Sequence, residues 1–251
     1  MKKIHTYVIN LKGSVDRKKY MEELLSRYDI LDVEFIEAVN GKAMTVEELE
    51  CSFDQNEAFK RYGRVLRGGE VGCALSHRKC AQSLLDSEES IAIILEDDLV
   101  LQDNDPDAIL NATGDLLTSS GPAIVLFSGD YWFLGKRRFE GKYELAKVRE
   151  AVCTQAYMIN RGAAERLLSM DCSYLADDWF SIKKAGIKLM AVYPHLADQD
   201  RLSFETDISQ EYTGFIRKNL SFGKRLHSYF RAVIKRLLKG IGHFEYKKFR
   251  W

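Results

Sequence analysis

The sequence predicts an α/β fold in which a central, mostly parallel (mixed) sheet is flanked by helices. Three observations predict it. An apolar run at 4–11 gives way to a helical pattern and then to a second strand pattern, an opening β-α-β whose parallel pairing needs a helical crossover. Five apolar residues in a row, Ile91-Ala92-Ile93-Ile94-Leu95, have the composition of a strand buried on both faces. Strand and helix patterns then alternate to about residue 193.

Taken in order, the first strand breaks at Lys12-Gly13-Ser14, and Ser14 is the expected N-cap of a helix over 15–28 with Met21, Leu24 and Leu25 on one face. Residues 33–39 read as the second strand, and 41–68 as short helices only. Gly68-Gly69 opens a long helix to about 87, followed by the buried strand at 91–95, a helix near 107–118 and a strand at 123–127. A strand at 154–159, a helix at 162–170, a short helix from Asp177-Asp178-Trp179-Phe180 to about Gly186 and a last core strand at 187–193 complete the body.

The 251 residues are 46% hydrophobic and 29% charged with three prolines, enough to bury a sizeable core, which excludes disordered and low-complexity classes. No stretch approaches the roughly 20 apolar residues of a bilayer-crossing helix, and the start, Met1-Lys2-Lys3, lacks the apolar core expected of a secretory signal. Five scattered cysteines without a C-x-x-C pair read as reduced thiols, neither a disulfide frame nor a zinc site. The zero net charge hides an asymmetry: 217–251 holds eleven Lys or Arg against Glu245, so the body, 1–216, carries a surplus of ten acidic residues and the tail ten basic ones. Such a division speaks to partners rather than fold.

Four constellations carry chemistry. Glu96-Asp97-Asp98 directly follows the buried strand; clustered carboxylates are costly to desolvate unless a cation neutralises them. Strand alternation would turn Glu96 and Asp98 to one side and Asp97 away, a half-built oxygen site for Mg²⁺ or Mn²⁺ where open α/β sheets bind ligands. The bland alternative is a solvated acidic turn. The second runs from Gly68 through Gly72, Ser76 and His77 to Arg78: glycines at a helix start allow close approach of an anionic ligand. Arg78 lies inside the apolar stripe and calls for an anionic partner, a core carboxylate or a ligand phosphate, while His77 at its edge reads more readily as a packed histidine. The third is Asn10, Lys12 and Asp16-Arg17 between the first strand and helix, a nucleotide-contacting position without a dinucleotide or P-loop glycine motif. The fourth is Asp177-Asp178-Trp179 with His195: a carboxylate beside an aromatic ring suits a general base against a sugar, and a late histidine suits a metal shell. An N-cap aspartate, a core tryptophan and a structural histidine are the alternatives.

As a set, these residues resemble glycosyltransferase family 25, the bacterial lipooligosaccharide and lipopolysaccharide glycosyltransferases. The matching words are Tyr7-Val8-Ile9-Asn10-Leu11 with Asp16-Arg17, Gly69-Glu70-Val71-Gly72-Cys73-Ala74-Leu75-Ser76-His77, Ile93-Ile94-Leu95-Glu96-Asp97-Asp98, Thr154-Gln155-Ala156-Tyr157-Met158-Ile159-Asn160 and Asp177-Asp178-Trp179, spread over roughly 1–210. The resemblance implies a GT-A-like domain, a UDP-sugar donor (commonly UDP-galactose), Mn²⁺ or Mg²⁺, and inversion at the anomeric carbon. It implies that Asp98, with Glu96 and His195, contacts the metal. Asp178 or Asp177 takes the place of the base, and Asn10, Lys12, Arg17, Gly72, Ser76, His77, Arg78, Glu96 and Asp97 surround the donor. A catalytically silent sugar-nucleotide or glycolipid binder, and a magnesium-dependent phosphohydrolase, are the competing functions.

Over 221–239, Phe222, Leu226, Tyr229, Phe230, Val233, Ile234, Leu237 and Leu238 fill one half of a helical cylinder. Lys224, Arg225, Arg231, Lys235, Arg236 and Lys239 fill the other. Aromatics opposite a basic face predict a helix lying on an anionic membrane, hence a peripheral protein on the cytoplasmic face of the inner membrane that reaches a lipid-linked oligosaccharide acceptor. Docking of the apolar face on the body, with the basic face against the body's surplus acid, is the alternative. Nucleic acid is not an expected partner.

Overall fold

The computed structural model describes residues 3–103, 105–199 and 216–246. β1 (Ile4–Asn10), α1 (Val15–Leu25) and β2 (Leu31–Glu37) form the expected β-α-β unit, with β1 and β2 parallel. Ser14 makes no side-chain cap bond; its carbonyl instead accepts the Asn10 amide at 3.1 Å. The segment expected as short helices holds α2 (Val46–Ser52), closed by a Thr45/Glu48 capping box, and α3 (Gln55–Tyr62), capped by Asp54. These pack Phe53, Ala58 and Tyr62 against Leu66, Val71 and Ala74 as a small core of their own.

α4 (Gly68–Asp86) leads to β3 (Ile91–Glu96), β4 (Leu99–Leu101), α5 (Asp107–Thr118) and β5 (Ala123–Leu126). A hairpin, β6 (Asp130–Glu140) and β7 (Tyr143–Val152), precedes β8 (Ala156–Asn160), α6 (Arg161–Ser169), α7 (Trp179–Lys184), β9 (Lys188–Tyr193) and β10 (Ala197–Gln199). α8 (Phe222–Gly240) and β11 (Phe244–Glu245) end the described chain.

Nine strands form one sheet in the order β11-β6-β7-β9-β5-β8-β3-β1-β2, and β4 pairs with β10 beside it. The pairings β1–β2, β1–β3 and β5–β9 are parallel, and β8 is antiparallel to both β3 and β5, so β1, β2, β3, β5, β6 and β9 all point one way. In β3, Ile93 and Leu95 enter the core on one face while Ala92 and Ile94 enter the core on the other, as a doubly buried strand requires.

α4 and α6 cap each other. Arg78, on α4, donates to the Leu167, Leu168 and Met170 carbonyls at the end of α6. Arg161, at the start of α6, donates to the Leu84, Leu85, Ser87 and Glu89 carbonyls at the end of α4. The anionic partner expected for Arg78 is thus neither a carboxylate nor a phosphate but the partial negative charge of a helix end.

The glycines of α4 also serve a different approach from the one expected. A Cβ on Gly68 would meet the Gly41 carbonyl oxygen at 2.1 Å, and one on Gly72 would meet the Val39 oxygen at 2.4 Å and the Gly41 nitrogen at 2.7 Å. The chain's own loop, not a ligand, fills the space. Ser76 fastens that loop, accepting Val39 N–H at 2.9 Å and donating to the Gly72 carbonyl at 2.6 Å. Gly72→Ala is therefore expected to cost about 1–3 kcal/mol of stability by overpacking against backbone, read as a lower urea midpoint with an unchanged slope.

Candidate active site

The carboxyl ends of β1, β3 and β5 and the amino end of β8 meet at one edge of the sheet. β3 stops at Glu96, and the backbone turns through Asp97-Asp98 into β4. That turn breaks the strand alternation, so the three carboxylates part differently from the expected pairing of Glu96 with Asp98.

Asp97 turns inward to Asn10 and Arg17. Its Oδ2 accepts the Asn10 amide at 2.7 Å and its Oδ1 accepts Arg17 Nη1 at 2.9 Å. The same guanidinium stands 4.0 Å from Asp98 Oδ2, which also accepts Gln199 Nε2 at 2.6 Å. Asp98 is 6% exposed, and its other oxygen, Oδ1, is buried without a hydrogen-bond partner. A buried anionic oxygen without a partner is unfavourable unless an opposite charge matches it. Burial raises the Asp97 carboxyl even against Arg17 and Asn10, and burial together with the Glu96 charge pushes Asp98 up to about 6.

Glu96 faces the other way, toward α4. Its Oε1 accepts the Thr154 hydroxyl at 2.5 Å and lies 3.4 Å from His77 Nε2. His77 is buried, its Nδ1 hydrogen-bonded to the Tyr157 hydroxyl at 3.0 Å. Cys73, one helical turn before His77, completes a group whose donor atoms all lie within 4.8 Å of one another.

Asp177 and Asp178 separate into two roles. Asp178 N-caps α7, accepting Ser181 N–H at 3.2 Å, and also accepts the Tyr62 hydroxyl at 3.0 Å. Asp177 accepts Cys153 N–H at 3.1 Å, and burial, with Asp178 and Glu96 adding negative charge, raises its carboxyl. Cys153 holds a left-handed φ of 75° that directs this N–H, an unusual backbone state of the kind found at functional sites. Trp179 is 2% exposed, donates Nε1–H to the Cys153 carbonyl at 2.7 Å and stacks edge-on against Tyr157. It is a core tryptophan rather than the sugar platform it resembled.

The structure thus brings Asn10, Arg17, Asp97 and Asp98 together, and His77 with Glu96. Gly72, Ser76 and Arg78 are engaged in packing α4 as described above. Lys12 is exposed just past β1, and His195 is buried with its ring edge-on to Tyr131 at 5.3 Å. Sequence reasoning missed Thr154, Gln199, Cys73 and Cys153. The Cys73/His77 spacing of four on a predicted helix was the available signal for one of them; Gln199 reaches Asp98 only through the β4–β10 pairing.

Because the folded state holds Asp98 up to about 6, it favours the protonated acid, and stability is lost as pH rises from the ordinary carboxyl value through 6. Asp98→Asn is expected to raise the unfolding free energy at pH 7 by on the order of 2 kcal/mol and to change it little at pH 4. Urea unfolding at both pH values without divalent cations checks this; an equal effect at both would show that the charge is not the source of the strain.

Residues 3–117 match the family model described as glycosyltransferase family 25 (LPS biosynthesis protein). Procollagen galactosyltransferase 1-A of Xenopus laevis is 27% identical over 177 residues, covering 66% of this chain and 28% of that protein. Procollagen galactosyltransferase 2 of Homo sapiens is 32% identical over 96 residues, 37% of this chain and 15% of that protein. A glycosyltransferase 25 family member of Anopheles gambiae is 28% identical over 177 residues, 65% of this chain and 28% of that protein. The chain thus spans under a third of the length of these relatives. Among solved structures, a glycosyltransferase involved in glycosylation of the major capsid of PBCV-1 is 11% identical with a TM-score of 0.29, covering 66% of this chain and 64% of that one. The inositol-1-phosphate CTP transferase of T. maritima is 10% identical with a TM-score of 0.40, covering 76% and 86%. Both likenesses are too slight to argue from. The segment that supplies Asn10, Arg17, Cys73, His77 and the acidic triplet lies within residues 3–117, the part of the chain that is similar to glycosyltransferase family 25.

Proposed function

We propose that the chain is an inverting hexosyltransferase with a GT-A-like body, taking galactose from UDP-galactose to a lipooligosaccharide or lipopolysaccharide acceptor. The observation that carries this reading is the buried, unpartnered Oδ1 of Asp98 within a carboxylate cluster at the strand ends. All-oxygen donors suit a hard ion, Mn²⁺ or Mg²⁺, and Asp98 would hold it, Glu96 being turned toward Thr154 and His77. When bound, such an ion supplies charge neutralisation for the departing diphosphate. His195, against Tyr131, is the weakest member of the expected metal set.

The chain's own residues do the rest. Arg17 and Asn10 lock Asp97 and so orient the turn that presents Asp98. Lys12, exposed just past β1, would meet a donor phosphate. Asp177 is the base of choice: Asp178 is occupied by the α7 cap and Tyr62, whereas Asp177 is held by one backbone N–H and is raised toward the working pH. It takes the acceptor hydroxyl proton while that oxygen bonds to the anomeric carbon and the carbon–phosphate-oxygen bond breaks, releasing UDP.

Relatives named as galactosyltransferases support the sugar, and the family description supports the acceptor. Incubating the full chain with UDP-galactose and Mn²⁺ is expected to release UDP. Asp98→Asn and Asp177→Asn should each lower kcat at least 100-fold. Unchanged turnover in both would overturn the assignment.

The reading extends to a membrane. Among the described residues no helix is long and apolar enough to cross one. α8 rests on the body through Arg231, which donates to Glu150 at 2.6 Å, with Lys235 at 3.5 Å and Leu238 buried. Part of the basic face therefore meets the body's acid, and on the apolar face Leu238 is buried and Val233 and Ile234 are half-buried, whereas Phe222 is 79% exposed and Leu226, Tyr229, Phe230 and Leu237 are exposed with it. Arg225, Arg236 and Lys239 flank that face, and each basic residue near an anionic surface contributes about 1 kcal/mol. The basic residues at 247, 248 and 250 lie outside the described residues. Leu226→Glu with Phe230→Glu is expected to abolish flotation of the full chain with phosphatidylserine-containing liposomes; unaltered flotation would refute this role for α8.

A further inference from the structure

Cys73, His77 and Glu96 make a donor set of a different character from Asp98 and its neighbours. A spacing of four on α4 puts Sγ and the imidazole on one helix face, and the end of β3 brings the Glu96 carboxylate opposite them. Donor atoms on a tetrahedral zinc stand about 3.3–3.8 Å apart, from bonds of about 2.0–2.3 Å. His77 Nε2 and Glu96 Oε1 are already at 3.4 Å, and the set as a whole closes from within 4.8 Å. The outer contacts are those a metal histidine and carboxylate use. Nδ1 stands 3.0 Å from the Tyr157 hydroxyl, which can accept Nδ1–H in the tautomer that frees Nε2 for a metal, and the Thr154 hydroxyl fixes the carboxylate. Cys73 and Glu96 are each only partly covered by the surrounding chain.

We propose that Cys73, His77 and Glu96 form a three-ligand site for Zn²⁺, with its fourth position open to water or an exogenous ligand. Thiolate, imidazole and carboxylate together select a borderline-soft ion over Mg²⁺ or Mn²⁺. The site's ligands come from one helix and one strand end, so no C-x-x-C pair announces it. The site depends on the placement of these three side chains and not on the transferase reading.

Titrating the reduced, metal-free full chain with Co²⁺ tests it without any sugar nucleotide. One equivalent is expected to bind with a thiolate-to-cobalt charge-transfer band and strong tetrahedral absorption, and Zn²⁺ should bleach both. Cys73→Ser should lose the charge-transfer band, and His77→Gln should weaken binding at least 10-fold. Asp98→Asn should leave the spectrum unchanged. X-ray absorption of the zinc-loaded wild type removes any dependence on the folding of the variants: one sulfur near 2.3 Å with nitrogen or oxygen near 2.0 Å is expected. A pale octahedral cobalt spectrum, a charge-transfer band that survives Cys73→Ser, or a zinc shell without sulfur would each overturn the proposal.

Discussion

The burial of like charges at one sheet edge is the constraint around which this molecule is arranged. Asp97 and Asp98 are both buried and Glu96 stands within reach of their fields, yet the Arg17 guanidinium contacts Asp97 at 2.9 Å and Asp98 only at 4.0 Å. Desolvating a carboxylate is unfavourable unless its charge is matched. Asp97 is matched by Arg17 and Asn10, while Asp98 keeps one oxygen unsatisfied. Under the proposed function, a bound cation is what relieves this strain.

The frame that holds the edge is built from polar contacts as much as from the core. The reciprocal caps of Arg78 and Arg161 fix α4 against α6, and Ser76 with the close-packed glycines fixes α4 against the loop after β2. α4 in turn presents His77 and Cys73 to Glu96. Asn160, at the end of β8, accepts N–H groups from Ala123 and Ala163 and donates to the Leu117 and Gly121 carbonyls, tying β5, α5 and α6 together. The same sheet therefore has rigid walls and an electrostatically strained rim.

Much of this was legible in the linear sequence. The run Ile91–Leu95 gave away a doubly buried strand, and the helix expected near 107–118 coincides with α5, because periodicity and burial agree there. The β6–β7 hairpin was not foreseen: Lys136, Arg137, Arg138 and Glu140 interrupt its apolar alternation, and register shifts break the pattern further. Asn10, Arg17 and the triplet were recognisable because strand ends in α/β folds are where ligands meet the sheet. What each carboxylate touches was not, since it depends on a turn at Asp97-Asp98 that strand alternation does not anticipate. Arg78 and Ser76 were misread for a common reason: a polar residue on a helix face declares a need for a partner without naming it, and backbone carbonyls answer as well as a ligand does.

Calorimetric titration of UDP into the full chain at pH 7, with and without Mn²⁺, bears most directly on the idea that the acidic rim is a cation-dependent nucleotide site. The account predicts binding with Mn²⁺ that falls at least tenfold when the cation is omitted, and loss of this cation dependence in Asp98→Asn. Equal affinity for UDP with and without Mn²⁺, or a cation response that survives loss of the Asp98 charge, would contradict it.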